Sequence, residues 1–545
     1  MGTYLAQAGT TLNRVTRAGV ATALTLPTGI TLYGTSRPSR AAILGNYIVV
    51  VNGGLHDIVI DAQDVCRPLR LEPPSTPPVI AEGTATGGVW ADGVYKGRVT
   101  FLVKDEYGRV IMESAPSPVA TSAAFTTATS LEASSVPIST QSVVNARRIY
   151  LTVNGGTVFY QWLDIDDNTR TAIEEAHPDT TDLALEFNPQ VVVGTPPDFS
   201  LIAHWRERLF GIPRDQPDYV RWSEERQFYN WPTVNESVVG TKDVDTYGCT
   251  GFVPRRDALG IGRRNGFWRR TGFTNDTMDT QQISDIGLVS QESVVVVGDV
   301  GYYLGVRNGR YVFAEWDDRG VVPISEAKVD AWFNPQRGGS NAYFSATYYP
   351  VVRGRYNARL DAVQWLLAAS GASTLERWVS FHLRSRTWFG PHKTAGFTTT
   401  CAATDNNMAG TLTATDDSTL AIFGSSDGYL YKEDPTTAND QGSAVDFDCD
   451  TPFFHGDAPD VEKVWMQPTI HTGVEAAGTL TITPKVGSLA ASAGSAISHT
   501  LTLGRERLRR LGLGRYAQLN LRHNTVDQGA RILGLELPFH RKGRR

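Results

Sequence analysis

Between Ala203 and Trp316 one short pattern is written three times, and it narrows the fold more than any other feature of the chain. His204–Glu224 (HWRERLFGIPRDQPDYVRWSE), Arg255–Gly272 (RRDALGIGRRNGFWRRTG) and Gly298–Trp316 (GDVGYYLGVRNGRYVFAEW) each set an apolar strand, a glycine turn and an aromatic return strand in order. The last two share their spacing, with Gly262-Arg-Arg-Asn-Gly266 before Phe267 and Trp268, and Gly305-Val-Arg-Asn-Gly309 before Tyr311 and Phe313. Asn-Gly is a strong hairpin signal because both residues tolerate the positive φ of a tight turn. The pattern returns at Gly424-Ser-Ser-Asp-Gly428 before Tyr429 and Tyr431, and loosely between Ile43 and Asp61. A hairpin unit repeated over most of a chain predicts a β-propeller.

Composition agrees with an all-β chain of several domains. At 545 residues it is too long for one core. Its 52 glycines and 12 tryptophans suit many tight turns and aromatic strands. Cys66, Cys249, Cys401 and Cys449 are far apart, so neither a zinc ribbon nor a disulfide framework is expected. No apolar run approaches the length of a membrane span. Arg14, Arg17, Arg37 and Arg40 precede the first acid, Asp57, but Pro27 and the nearby glycines break any amphipathic targeting helix. The chain is therefore expected to be soluble and unprocessed.

Read in order, residues 1–75 form an N-terminal part of the propeller, closed by the extended run Pro73, Pro74, Pro77 and Pro78. Residues 76–195 are expected to be an inserted immunoglobulin- or fibronectin-like sandwich, with a hairpin through Asn154-Gly155-Gly156 and Pro196-Pro197 just beyond. Residues 196–437 carry the main propeller, of six to eight blades. Within it Ala342–Val352 is expected to pair with Asp361–Ser370 across the loop Arg353–Arg359. Residues 438–545 change to aspartate-rich turns and short strands, a C-terminal β-sandwich with a basic tail.

Candidate chemistry is sparse. Asp164, Asp166, Asn168 and Glu175 fall at offsets 1, 3, 5 and 12 of a calcium loop, but Thr169 stands where that loop needs glycine and no helices flank it, so a solvated acidic hairpin is favoured. Gly260–Gly266 lacks the glycine spacing and following helix of a dinucleotide loop. No nucleophile elbow appears and the histidines are scattered. The glycosidase-propeller turn Ser-x-Asp-x-Gly-x-Thr-Trp survives only as Thr387 and Trp388. Catalysis and a cofactor are not expected.

Basic clusters are the stronger lead. Arg255, Arg256, Arg263, Arg264, Arg269 and Arg270 surround Phe267 and Trp268, and either decorate solvated sheet edges or line a passage or subunit contact. Arg263 and Arg264 point to opposite faces of any strand, so the six cannot all serve one surface. From Arg505 onward eleven Lys and Arg stand against three acids, a net of +8 in a chain of net −6. Arg505, Arg507, Arg509, Arg510, Arg515, Arg541, Lys542, Arg544 and Arg545 are thus candidates for docking an acidic partner or facing nucleic acid.

The order of these motifs resembles the propeller-bearing tail proteins of tailed bacteriophages, the nozzle or tail-stabilisation proteins below the head-to-tail adaptor. The resemblance runs through RRIYLTV and DIDDNTRT, then ERLFGIP, YVRWSE and FYNWP, then LGIGRRNGFWRRTG, VSQESVVVVGDVGYYLG, FGSSDGYLY and the closing GARILGLELPFHRKGRR. It implies a structural virion protein of the tail, assembled in the host cytoplasm as a closed, usually hexameric ring. Its implied partners are further copies of itself, the adaptor, tail fibre or tail needle and plug proteins, and genomic DNA passing through the lumen without sequence specificity. It implies no catalytic residues. Two other readings stay open: a host-surface glycan-binding propeller, and a hydrolase whose acids converge only in three dimensions.

Overall fold

Short runs of β-branched and aromatic residues, cut by Gly, Asp and Asn turns, become antiparallel sheet along the whole chain. The computed structural model describes residues 3–16, 19–34, 39–51, 57–126, 128–175, 190, 193–240, 248–334, 342–393, 397–406, 419–432, 439–475, 477–487, 491–526 and 528–542. Arg17, Arg37, the turn at Asn52-Gly53-Gly54, Arg544 and Arg545 lie outside them. Among the described residues the protein is almost all β, its helices being short 3-10 turns and the single turn α1 (Asp330–Phe333). None is long and apolar enough to cross a membrane. The chain divides into two compact units, Met1–Asp330 with Tyr349–Val351, and Ala331–Tyr348 with Val352–Arg545.

Four sheets of one design fill the first unit. They are Arg40–Leu44 to Cys66–Pro68, Phe199–Trp205 to Glu236–Val238, Cys249–Pro254 to Asp279–Ser284, and Gly287–Leu288 to Gly320–Pro323. In the first three, strands lie side by side in chain order; in the fourth, Gly287–Leu288 and Val295–Val297 both pair with Val300–Arg307. The first strands of neighbouring sheets are adjacent, Phe199–Trp205 lying by Arg40–Leu44 and by Cys249–Pro254. Arg40 ties this region together, donating to Ser200 O (2.7 Å) and pairing with Glu292 (2.6 Å) at the head of the fourth sheet.

In the second, third and fourth sheets burial falls from the first strands to the last. In the third sheet Leu259–Arg263 is buried throughout, whereas Asp279–Ser284 is mostly exposed. The third sheet therefore has an apolar body and a polar outer edge, which discourages edge-to-edge association. Between the second and third sheets pack Phe210, Trp222, Phe252 and Ile261; between the third and fourth pack Phe267, Tyr303 and Trp316. Each such side chain contributes roughly 1.5–3 kcal/mol through burial. An N-terminal sheet (Thr3–Ala8, Thr11–Thr16, Ala21–Ala23) covers the first sheet through Leu12, Leu24 and Leu32.

An inserted module departs after Pro68 and returns at Phe199. One of its sheets holds Gly93–Lys104, Val110–Glu113, Ala120–Phe125, Ala146–Thr152 and Phe159–Ile165; the other holds Val79–Glu82, Leu131–Ser134 and Ile173–Glu175. Trp90, Tyr95, Ile149 and Trp162 form the core between them. Phe101, Val103 and Met112 lie towards the far end of strand Gly93–Lys104 and join Val49, Val59, Phe199 and Trp231 in a core shared with the first two sheets. Entry and exit are clasped by one buried residue, since Asp57 O accepts from Leu69 N and Asp57 Oδ2 from Phe199 N, both at 2.8 Å.

The second unit opens with a sheet of the same design (Arg353–Asn357, Ala362–Leu367, Arg377–His382, Thr387–Lys393) and a three-stranded one (Thr399–Asn406, Thr419–Ser425, Leu430–Lys432). A C-terminal module follows. Its first sheet orders Phe447–Asp450, Tyr516–His523 and Thr479–Gly487, the last also pairing with Ala491–Ala493 and Ile497–Thr500. Its second orders Arg505–Arg507, Thr469–Thr472 and Ile532–Glu536. Ile470, Leu480, Ile482, Leu501, Leu519 and Leu521 form one core within the module.

Three local expectations are corrected. The turn of the His204–Glu224 hairpin is Arg206-Glu207, not a glycine; both have positive φ (50° and 58°), and Gly211 lies mid-strand beneath Phe199. Arg206 holds that conformation by stacking 4.6 Å from the Trp205 ring and 3.8 Å from Phe273 and donating to Gly272 O. Asn308-Gly309 does form the expected positive-φ turn (50° and 75°), but Gly266 is already in strand, pairing with Arg263. Finally, Arg353–Asn357 is itself the strand that pairs with Ala362–Leu367, and Ala346–Val351 is a 3-10 turn containing Pro350. Polarity concealed that strand: Arg355 is buried with its guanidinium over Trp378 (4.8 Å) and Phe423 (4.6 Å).

Candidate functional site

The six arginines of the third sheet separate by strand alternation into three buried and three surface groups. Arg263 is 1% exposed, and its guanidinium donates to Asp218 Oδ1 and Val239 O, both at 2.7 Å. Arg270, also 1% exposed, lies over the Trp222 ring at 4.7 Å and donates to Thr280 Oγ1 (2.9 Å) and Ser237 Oγ. Burial alone pushes its pKa down to about 10. Arg255 stacks over Trp316 at 4.7 Å and reaches Asp299 (3.0 Å) and Asp318 (2.5 Å) of the fourth sheet. The hydrogen bond from Arg255 is the main cause that holds the Asp299 carboxyl below its usual range.

Those three cannot face a passing polymer or a neighbouring subunit, because the chain itself covers them; they fasten sheet to sheet. Arg256 and Arg269 are exposed, and Arg264 is half-buried with its guanidinium 3.3 Å from Tyr311 Oη. The candidate lumen or interface set therefore reduces to Arg256, Arg264 and Arg269.

The acidic offsets do not converge either. Asp164 forms a two-pronged pair with Arg148 (2.6 and 2.9 Å) and also meets Lys104 (2.8 Å). Asp166 pairs with Lys104 at 2.7 Å. Asn168 spends its side chain on the backbone of Ser139, and Glu175 sits in a different sheet, opposite Leu131. Cationic side chains occupy the place a metal would take. Among the described residues no group of three or more His, Cys, Asp or Glu could hold a metal ion.

What sequence reading missed here is a buried polar network on the larger sheet of the inserted module, on the face opposite Ile149 and Leu151. Glu113 Oε1 accepts from Tyr150 Oη (2.6 Å) and Thr100 Oγ1 (2.8 Å), with Arg148 3.6 Å from Oε2. Burial raises the Glu113 carboxyl and the Tyr150 phenol. The available signal was period two: Arg148 and Tyr150 alternate with apolar Ile149 and Leu151, marking a strand whose polar face needs partners.

At the C-terminal end the basic residues do stay at the surface. Arg505, Arg507, Arg509, Arg510, Arg541 and Lys542 are exposed and Arg515 is half-buried. Lys463 is different: fully buried, its ammonium donates to the carbonyls of Ala458, Val461 (2.8 Å) and Arg515 (3.3 Å). Desolvation, then the charges of Arg541 and Arg515, hold its pKa below the usual lysine value. Beneath the basic strand, His499 is buried between Thr472 Oγ1 (3.0 Å at Nε2) and Glu506 Oε2 (2.6 Å at Nδ1). Thr472 is itself 3% exposed, so this relay of hydroxyl, imidazole and carboxylate has no substrate face and serves as a core tie.

No protein-family model matches the chain, and no curated protein matches it. Among solved structures it is similar to an exo-β-1,3-galactanase from Phanerochaete chrysosporium (8% identity, 97% of this chain and 100% of that one, TM-score 0.18). It is also similar to an apocarotenoid oxygenase from Synechocystis (9% identity, 73% and 68%, TM-score 0.23) and to a DUF4623 family protein from Bacteroides eggerthii (9% identity, 78% and 88%, TM-score 0.23). Superposition this poor carries neither fold detail nor function to the chain.

Proposed function

We propose that the protein is a structural component of a tailed-bacteriophage virion, a nozzle in the tail or head-to-tail connector. Its repeated sheets belong to one β-propeller, the inserted module is an immunoglobulin-like sandwich, and the C-terminal module is a second sandwich. Copies assemble in the host cytoplasm into a closed ring, a hexamer, that docks the adaptor above and tail fibre or needle proteins below while DNA passes through the lumen. The observation that carries this reading is the fastening of one repeated sheet design by arginine ties between sheets. Arg40 reaches two other sheets, and Arg255 joins the third sheet to the fourth. A closed set of such sheets resists deformation, as a conduit for pressurised DNA requires.

DNA must also slide, so its phosphates must not be held tightly. A chain of net −6 meets that condition. Negative-stain imaging of the purified full chain tests the proposal: closed rings with a lumen wide enough for duplex DNA are expected. A monomer that binds one glycan on an array would overturn it in favour of host recognition. Within the ring reading, Arg256→Glu, Arg264→Glu and Arg269→Glu together are expected to change genome retention or ejection while leaving ring formation intact.

A further inference from the structure

Two edge strands of the C-terminal module carry opposite charge. Among the described residues strand Phe447–Asp450 pairs on one side only, with Tyr516–His523, and strand Arg505–Arg507 on one side only, with Thr469–Thr472. The hydrogen bonds at their ends fix which main-chain groups face outwards. Thr451 N donates to Leu519 O, so Phe447, Cys449 and Thr451 face inwards while Asp448 and Asp450 present their N–H and C=O groups to the open edge. Leu508 N donates to Pro468 O and Thr472 N to Gly504 O, so Arg505 and Arg507 do the same on the other strand.

The residues with free main-chain groups are thus also the charged ones. Asp446, Asp448 and Asp450 are exposed along one edge, and Arg505, Arg507, Arg509 and Arg510 along or beyond the other. Glu506, the acid within the basic strand, points inwards to His499 and leaves that edge's sign intact. Asp446 and Asp450 pair with Arg522 (3.3 Å) and Lys485 (2.8 Å), but these contacts are solvent-exposed, and such pairs hold little energy against a new partner. Exposed apolar groups accompany each edge strand, Phe447 (38%) and Phe453 (54%) on the acidic side and Leu503 (59%) on the basic one.

We propose that strand Arg505–Arg507 of one copy adds to strand Phe447–Asp450 of the next, making a continuous sheet across the subunit boundary. The occupant is a second copy of this chain because the two edges complement each other in charge and in main-chain donors, and a chain bearing both makes a head-to-tail contact that closes into a ring. The inference rests on the ring reading and names the surface that would build it.

Charge reversal of the full-length protein, followed by sedimentation velocity and mass photometry, tests it. Arg505→Glu with Arg507→Glu, and separately Asp448→Lys with Asp450→Lys, are each expected to weaken association at least about a hundredfold, while melting with the wild type. The quadruple variant, with both edges reversed, is expected to assemble again, which misfolding could not explain. If the paired variants form rings as well as the wild type, or the quadruple variant stays monomeric while folded, the edge contact is overturned and the ring reading stands. A wild type that is monomeric even at low salt and high concentration would overturn both.

Discussion

Arg263 and Arg270 place two guanidinium groups in a part of the third sheet with almost no water, which is tolerable only because partners are built around them. Arg263→Met leaves Asp218 buried without its cation and is expected to cost about 3–5 kcal/mol, read as a lowered thermal midpoint. A second residue gives a pH signature. Asp167, held by the backbone N–H groups of Arg170 and Thr169 and by Arg147, has its pKa lowered to about 2. Its folded value lies below the unfolded one, so its contribution is present above about pH 4 and is lost as pH falls towards 2. Asp167→Asn is expected to lower stability at neutral pH by about 1 kcal/mol and to flatten the acid limb of a plot of melting temperature against pH.

At the scale of strands and turns, hairpins and their order were legible, because an apolar run, a turn and an aromatic return leave a plain mark at period two. Turn positions were less so. Nothing in the letters Arg206-Glu207 says that a long charged residue will take positive φ; the stacking of Arg206 on Trp205 and Phe273, the latter distant in sequence, decides it. The strand Arg353–Asn357 was hidden for a related reason, its arginine being buried on rings from other strands. The same limit governs the candidate site. Alternation showed that the six arginines divide, but which of them face inwards depends on partners such as Asp218 and Asp299 in neighbouring strands and sheets. Packing between sheets also sets a sharp requirement at Gly262, where a methyl group would overlap the Leu288 side chain. Gly262→Ala is expected to destabilise by about 1–3 kcal/mol, measurable by chemical denaturation, with the third and fourth sheets loosening together in hydrogen exchange.

Buried arginines of the third sheet join it to its neighbours, and two strands of the C-terminal module carry opposite surface charges. If those surface charges order the copies, the assembly should respond to ionic strength: raising salt from about 0.1 M to 1 M, which shortens the Debye length from about 10 to 3 Å, is expected to shift rings towards smaller species while each chain stays folded. The clasp at Asp57 has a different implication. Both ends of the inserted module are gripped by one side chain and its own carbonyl, so the polypeptide leaves and rejoins the repeated sheets at a single point. Topologically the module is a pendant cassette. It can be lengthened or exchanged at that point without re-threading any other strand, provided the replacement still covers the shared core around Phe199 and Trp231.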